Sequence, residues 1–356
     1  ASLARLHDDL VLLDSLAEGL ILHNLRRRYA SDEIYTAVGG ILVAINPFQR
    51  LPLYTTERIE AYHKAGNKPM APHPYKLADA AHKALLEDRG RNQSILVSGE
   101  SGSGKTETTK QALSFLAEVA GSASSNIEQR VLSANPILES FGNAKTTRND
   151  NSSRFGRFTA VQFDNQLKIA GASINNYLLE KSRVKGQSED ERNYHVFYQL
   201  CAGDWAEAFA VEGAEAYHYL DKCLVVDDID DSADFVEVVN AMDSLGLEDE
   251  TRSTIYSIVA AVVKLGQVHF EKLGGMSDGS KVASDDYSLA AVAAHLGADL
   301  DTLNYALTHR TLSIRGQKNT AVQLRVEQSL ENRDALAKYV YDNLFDFLVQ
   351  RVNRAL

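Results

Sequence analysis

The chain has 356 residues, 44% of them hydrophobic and 24% charged, enough to bury a core and to form more than one subdomain. A formal net charge of −11 argues against general nucleic-acid binding, which needs a basic footprint. The longest apolar run, "SIVAAVV" at 257–263, is far short of a bilayer span, and no secretory segment opens the chain, so a cytoplasmic address is expected. Cys201 and Cys223 show neither CxxC spacing nor paired histidines nearby, which excludes a disulfide framework or zinc site and makes both structural.

In chain order, "SILVS" at 94–98 predicts a short buried strand. A glycine loop follows, then from Gly104 a helix with Ala112, Leu113, Leu116, Val119 and Ala120 on one face. "GSASSN" at 121–126 and "KLGGMSDGSK" at 272–281 predict surface loops. "FTAVQF" at 158–163 and "QLKIAGASI" at 166–174, separated by Asp164-Asn165, predict a hairpin. "DDIDDSAD" at 227–234 predicts a loop and a helix start with several candidate caps. Between Asp301 and Glu327 there is no acidic residue, while Arg310, Arg315, Lys318 and Arg325 are basic; a solvated loop is the simplest reading. From Ser329 a helix runs with Leu336, Tyr339, Val340, Leu344, Phe347, Leu348 and Val352 at helical spacing.

The chemistry centres on "GESGSGKTETT" at 99–109, where Gly99, Gly104, Lys105 and Thr106 satisfy GxxxxGK[ST]. The glycines let backbone N–H groups curl around phosphate oxygens at the positive end of a helix. Lys105 can reach β- and γ-phosphates, and the Thr106 hydroxyl can ligate Mg²⁺; Glu100, Ser101, Gly102, Ser103 and Glu107 complete the nucleotide-facing stretch. Such a loop does not separate hydrolase, kinase, GTPase and motor. "NDNSSRFGRF" at 149–158 is the candidate reader of a terminal phosphate, since two adjacent hydroxyls and an arginine can contact Mg²⁺ and phosphate together; as spacing alone it equally suits a polar turn.

Several stretches in order resemble the motor domain of a myosin: "ILVAINPFQRLPLY" (41–54), the phosphate loop, "ANPILESFGNAKTTRNDNSSRFGRF" (134–158), "GASINNYLLEKSRV" (171–184), "ERNYHVFYQL" (191–200), "KLGQVHFE" (264–271) and "RDALAKYVYDNLFDFLVQRVN" (333–353). A kinesin would carry a different switch sequence, and "NKPM" at 67–70 lacks the aspartate of a guanine reader. The resemblance implies an α/β fold: a P-loop NTPase core with a mixed, twisted central sheet flanked by helices, plus a largely helical subdomain. The expected division is an N-terminal subdomain with the phosphate loop over 1–120, and over 121–356 the first switch, hairpin strands and upper helical subdomain. It implies ATP and Mg²⁺ as ligands and actin filaments as partner, with light chains reached only through a downstream lever arm. Asn46, Pro47, Arg50 and Tyr54 match the family's adenine pocket. Ser153 matches the switch serine that ligates Mg²⁺ opposite Thr106, Ser152 its proton-relaying neighbour and Asn149 a γ-phosphate contact, with Asn143 in the same region. Lys105, Ser152, Ser153 and Arg154 are the expected catalytic set, whereas Glu180 and Asn193 read as structural.

The family's second switch, an Asp-x-x-Gly-Phe-Glu segment, is not among these residues, so Arg154 is expected to be solvated or paired elsewhere. A strand beside Ser94–Ser98 is lost with it, leaving an open apolar edge. "THRTLSIRGQKNT" matches an actin-touching loop, but Lys318 stands where the family usually has an acidic or phosphorylatable residue; Thr320 is the nearby alternative. Three readings follow: an actin-activated MgATPase in complete form, a module that binds nucleotide without hydrolysing it, and, least favoured, a P-loop kinase or GTPase.

Overall fold

The computed structural model describes residues 5–66, 68–87, 91–121, 127–274, 277–312 and 320–356. Two compact units emerge, residues 1–132 with 160–173 and 356 in the first, and 133–159 with 174–355 in the second.

The first unit carries α1 (Glu18–Tyr29), the antiparallel pair β1 (Tyr35–Val38) and β2 (Ile41–Ala44), then α2 (Thr56–Ala65), α3 (Pro74–Glu87), α4 (Lys105–Ala120) and α5 (Ile127–Ser133). Helix α4 is the predicted post-loop helix, and it buries two faces. Ala112 and Phe115, with Leu116 and Val119 beside them, pack with Ile59, Tyr62, Tyr75 and Ala78 of α2 and α3. Ala120, flanked by Leu113, packs with Val131 of α5 and with Ile169 and Ala172 of the hairpin. Phe115 is the fully buried anchor that apolar spacing passed over. His73 sits among the rings of Tyr35, Tyr54, Tyr62 and Tyr75 at 4.2–5.8 Å, and burial pulls its imidazole down to about 4.

Strands β5 (Gly156–Phe163) and β6 (Ile169–Tyr177) form the predicted hairpin, turned over five residues instead of two. Asp164 Oδ1 accepts from the backbone N–H groups of Gln166 and Lys168 at 2.7 and 2.9 Å, and Leu167 takes φ 57°. The carboxylate organises the turn, so no Asn-Gly pair is needed.

Ser94–Ser98 departs from expectation. It forms no strand among the described residues, and Leu96 is 91% exposed. An apolar run becomes a buried strand only where a neighbour supplies backbone partners, and none of the described strands lies beside it. The single twisted central sheet is accordingly not found among the described residues, which hold five separate two-stranded antiparallel pairs instead.

The second unit is mainly helical: α6 (Asn135–Gly142), β3 (Asn143–Thr146) paired with β4 (Asn149–Ser153), α7 (His195–Ala202), α8 (Asp231–Ser244), α9 (Asp249–Leu265), β7 (Phe270–Gly274) with β8 (Ser277–Val282), α10 (Ser288–Leu296), α11 (Leu300–Thr308), β9 (His309–Leu312) with β10 (Thr320–Gln323), and α12 (Val326–Ala355). Helix α9 contains the apolar 257–263 run and is buried nearly all round, with Tyr256 ringed by Trp205, Phe235 and Phe141 at 5.2–6.4 Å. Among the described residues no helix is long and apolar enough to cross a membrane.

Helix α12 begins three residues before its predicted start and buries Leu344, Leu348 and Val352 as predicted, but its aromatic positions differ. Tyr341 and Phe345 are buried while Tyr339 and Phe347 are 67% and 41% exposed. The register is set by polar as well as apolar contacts: the Tyr341 hydroxyl donates to Phe141 O at 2.7 Å, its ring stacks on Tyr194 at 5.0 Å, and buried Arg333 donates to Val268 O at 2.9 Å. Hydrophobic spacing alone cannot see those partners.

The stretch 272–281 is the other correction: apart from Gly275 and Met276, which lie outside the described residues, it builds most of the β7–β8 hairpin. The ladder needs no apolar side chains. Lys281 and Glu271 pair across it at 2.8 Å, and buried Ser280 bonds the Ser329 hydroxyl at 2.7 Å. The acidic stretch behaves as predicted, with Asp230 capping α8 by accepting from Ala233 N at 3.0 Å. Residues 122–126 of the Gly/Ser stretch, and Arg315 and Lys318 of the basic one, lie outside the described residues; Arg310 and Arg325 are exposed, and Thr320 opens β10 opposite Leu312.

Candidate functional site

In the first unit the chain leaves 94–98, passes Gly99–Gly104 and enters α4 at Lys105. Gly102 and Gly104 adopt φ 76° and 90°, the left-handed region that side-chain-bearing residues avoid, so the curl of the loop depends on them. A Cβ on Gly99 would meet Ser103 Oγ at 2.5 Å, so a larger residue there would have to turn the Ser103 hydroxyl aside. The Lys105 amine lies inside the curl and donates to Gly99 O and Glu100 O, both at 2.8 Å. Thr106 is exposed in the first turn of α4, and Glu107, exposed beside it, pairs with Lys110 at 3.2 Å. Glu100 and Ser101 are exposed on the loop.

The loop that follows β2 reaches this curl. Asn46 donates from Nδ2 to Gly102 O at 2.7 Å and accepts from Phe48 N at 2.9 Å. Pro47 is half-buried and Arg50 exposed, while the Tyr54 hydroxyl meets that of Tyr35 at 2.7 Å. Residues 46, 102 and 104 are thus brought together, whereas Arg50 is exposed.

The second unit holds the serine-arginine stretch, and the structure makes it a strand. In β4 Asn149 stands opposite Thr146, Ser152 opposite Ala144 and Ser153 opposite Asn143. Ser153 is exposed; Ser152 is buried, with its Oγ accepting from Arg154 at 3.3 Å. The Asn149 side chain is used locally, accepting from Asn151 N at 3.1 Å. Arg154 is paired as expected for a guanidinium without its family partner: Nε donates to Glu180 Oε2 at 2.7 Å, and Glu180 N donates back to Arg154 O at 3.0 Å. The Glu180 carboxyl also takes Arg183 at 2.7 Å; burial pushes it up, but the two guanidiniums prevail and hold it below its usual range. Asn193, fully buried, bonds Val184 O and Tyr219 O at 2.9 and 3.1 Å and is structural.

Sequence reasoning missed the residue at the centre of this strand's support. Asn151 accepts from Asn143 Nδ2 at 2.9 Å, donates to Glu139 Oε2 at 3.0 Å and lies 3.3 Å from His195 Nε2. Reading "NDNSS" with a period of two would have placed Asn149, Asn151 and Ser153 on one side of a strand. Burial, and next the charge of Arg192, pull His195 down from 6.5 to about 4. The folded state therefore keeps a neutral imidazole where the unfolded chain would bind a proton. The stability this confers is present above about pH 6.5 and is lost as pH falls toward 4, at no more than about 1.4 kcal/mol per pH unit. Urea midpoints measured from pH 7 to 5 are expected to fall less steeply in His195→Gln than in the parent chain; parallel slopes would exclude a neutral buried His195.

Among the described residues no cluster of three or more His, Cys, Asp or Glu side chains could hold a metal. The hydroxyls of Thr106 and Ser153 are both exposed, each within its own unit. A glycine loop with Gly102 and Gly104 in the left-handed region and an ammonium folded back onto it at a helix N-terminus has the geometry of a candidate phosphate-binding loop.

Comparison with known proteins narrows that class. The sequence profile of the myosin head (motor domain) matches residues 7–356. The chain is 44% identical to Myosin-6 of Arabidopsis thaliana over 360 residues, 98% of this chain and 24% of that protein. It is equally 44% identical to Myosin-1 of the same plant, covering 30% of it, and to the Myosin-I heavy chain of Dictyostelium discoideum over 353 residues, covering 15%. The chain belongs to the myosin head family and spans about a quarter of the length of the Myosin-6 it matches.

Proposed function

We propose that this chain is the nucleotide-binding portion of an actin-based motor that grips MgATP and, in the whole motor, hydrolyses it to produce force on actin filaments. The Lys105 ammonium held inside the 99–104 curl is the observation that carries the reading, because it sets a positive charge and a helix N-terminus at one point. The loop backbone and Lys105 bind and orient the phosphates. Tyr54 and Arg50, beyond the Asn46-Pro47 turn, face the base. Thr106 and Ser153 are the residues whose hydroxyls the family resemblance assigns to Mg²⁺, which when bound would neutralise phosphate charge. Ser152, whose oxygen accepts from Arg154, is the proton relay in this reading; Asn143 and Asn149 belong to the strand pair that carries it. The address that follows is the cytoplasm, on actin.

A second reading, nucleotide binding without turnover, is favoured by one observation. Arg154 is already committed to Glu180 through side chain and backbone. Phosphate release by this polypeptide, with and without actin filaments, separates them. Filament-stimulated release supports the motor reading, and binding of ATP without release supports the second. Failure to bind ATP would sink both.

A further inference from the structure

Asn46 was grouped with the residues that face the base, yet the structure directs its amide elsewhere. Nδ2 donates to the carbonyl of Gly102, 56 residues away, at 2.7 Å, and Oδ1 accepts from Phe48 N at 2.9 Å. One bond needs a donor and the other an acceptor, so together they fix which way the amide points. The Asn46 backbone is held as well, its carbonyl 3.4 Å from the Tyr29 hydroxyl and its neighbour Ile45 N bonded to Ile34 O at 3.0 Å. Its Cβ lies 3.8 Å from the place a side chain on Gly104 would start, so the residue is seated on the phosphate loop itself.

The carbonyl that Asn46 holds belongs to the peptide between Gly102 and Ser103. A trans peptide points its C=O and N–H in opposite directions, and on the other side Ser103 N donates to Glu100 O at 3.2 Å. That peptide plane is thus gripped at both ends, in a turn whose Gly102 and Gly104, in the left-handed region, have no side chain of their own to restrain it.

We infer that Asn46 is a positioning residue for the phosphates: a brace from the rigid β1–β2 side of the unit that fixes the 102–103 peptide and with it the curvature of the loop. This rests on the nucleotide-site reading above, and it deepens that reading by dividing its residues into a phosphate brace, Asn46, and base-facing groups, Arg50 and Tyr54.

The test uses a ligand with no base. Affinities for ATP and for inorganic tripolyphosphate are measured by calorimetry on the 356-residue chain and on Asn46→Ala, Asn46→Asp and Arg50→Ala. Asn46→Asp keeps an oxygen for Phe48 N but replaces the donor to Gly102 O with a second acceptor, so it spares the local turn and breaks the brace. Both Asn46 variants are expected to lose about tenfold for ATP and for tripolyphosphate alike, the scale of one hydrogen bond. Arg50→Ala is expected to lose affinity for ATP alone. A loss in the Asn46 variants confined to ATP overturns the brace and leaves the site, as does wild-type affinity in Asn46→Asp. A parent chain that binds ATP but not tripolyphosphate also overturns it. Binding of neither ligand by the parent chain overturns the site reading and the brace with it.

Discussion

Lys105→Ala is expected to lower affinity for a fluorescent ATP analogue by at least about 100-fold, the scale of removing one preorganised charged contact to a phosphate. The cause is twofold. The substitution removes the ammonium inside the curl, and with it the donor that the carbonyls of Gly99 and Glu100 share at 2.8 Å. Lys105→Arg restores the charge but offers a planar fork to a loop shaped around a point donor, so partial recovery is expected. The helix itself should survive, because alanine suits its first turn and α4 is anchored by Phe115 and Ala112. Unchanged titration curves for Lys105→Ala, with an unchanged circular dichroism spectrum, would remove this loop from the nucleotide site.

Asp231→Ala is expected to cost about 3–5 kcal/mol in urea unfolding, the usual result of stripping the partner from a buried cation. Arg192 is 0% exposed, its guanidinium lies 3.6 Å from the Tyr198 ring centroid, and Asp231 Oδ2 accepts from it at 2.6 Å. Burial pushes the Asp231 carboxyl up against the pull of Arg192, so the pair is held under a desolvation load that its mutual contact helps to offset. Asp231→Asn keeps a hydrogen-bond acceptor and is expected to lose less, and adding Arg192→Met to Asp231→Ala should restore much of the stability by removing the stranded charge. The pair matters to the candidate site because Arg192 N donates to Lys145 O at 3.0 Å and Tyr194 bridges Ala144, which fastens β3, the strand that carries β4. An unfolding midpoint that does not move in Asp231→Ala would show that Arg192 has other support.

How much of this was legible beforehand depends on the range of each interaction. The phosphate loop was legible because its requirements are local: glycines where φ must be positive, a lysine one residue on, and a helix whose apolar positions recur within sixteen residues. The Asp230 cap and the 158–174 hairpin were legible for the same reason, and family resemblance in ordered stretches identified the chain. In α12 the Leu344, Leu348 and Val352 stripe was legible, but the burial of Tyr341 in place of Tyr339 was not, because Tyr341 takes its place from a carbonyl 200 residues away. Nor was the role of Asn151, whose partners come from α6, β3 and α7.

The sequence by itself determined the family and singled out the glycine-lysine loop and the serine-arginine stretch as candidate sites, since those depend on residue type and short spacing. Only the tertiary structure decided that Arg154 answers to Glu180, that Asn46 grips the loop at Gly102, and that Ser94–Ser98 stays exposed. Each turns on a partner brought from far along the chain or, for 94–98, on a strand neighbour that none of the described residues provides, and periodicity carries no information about either.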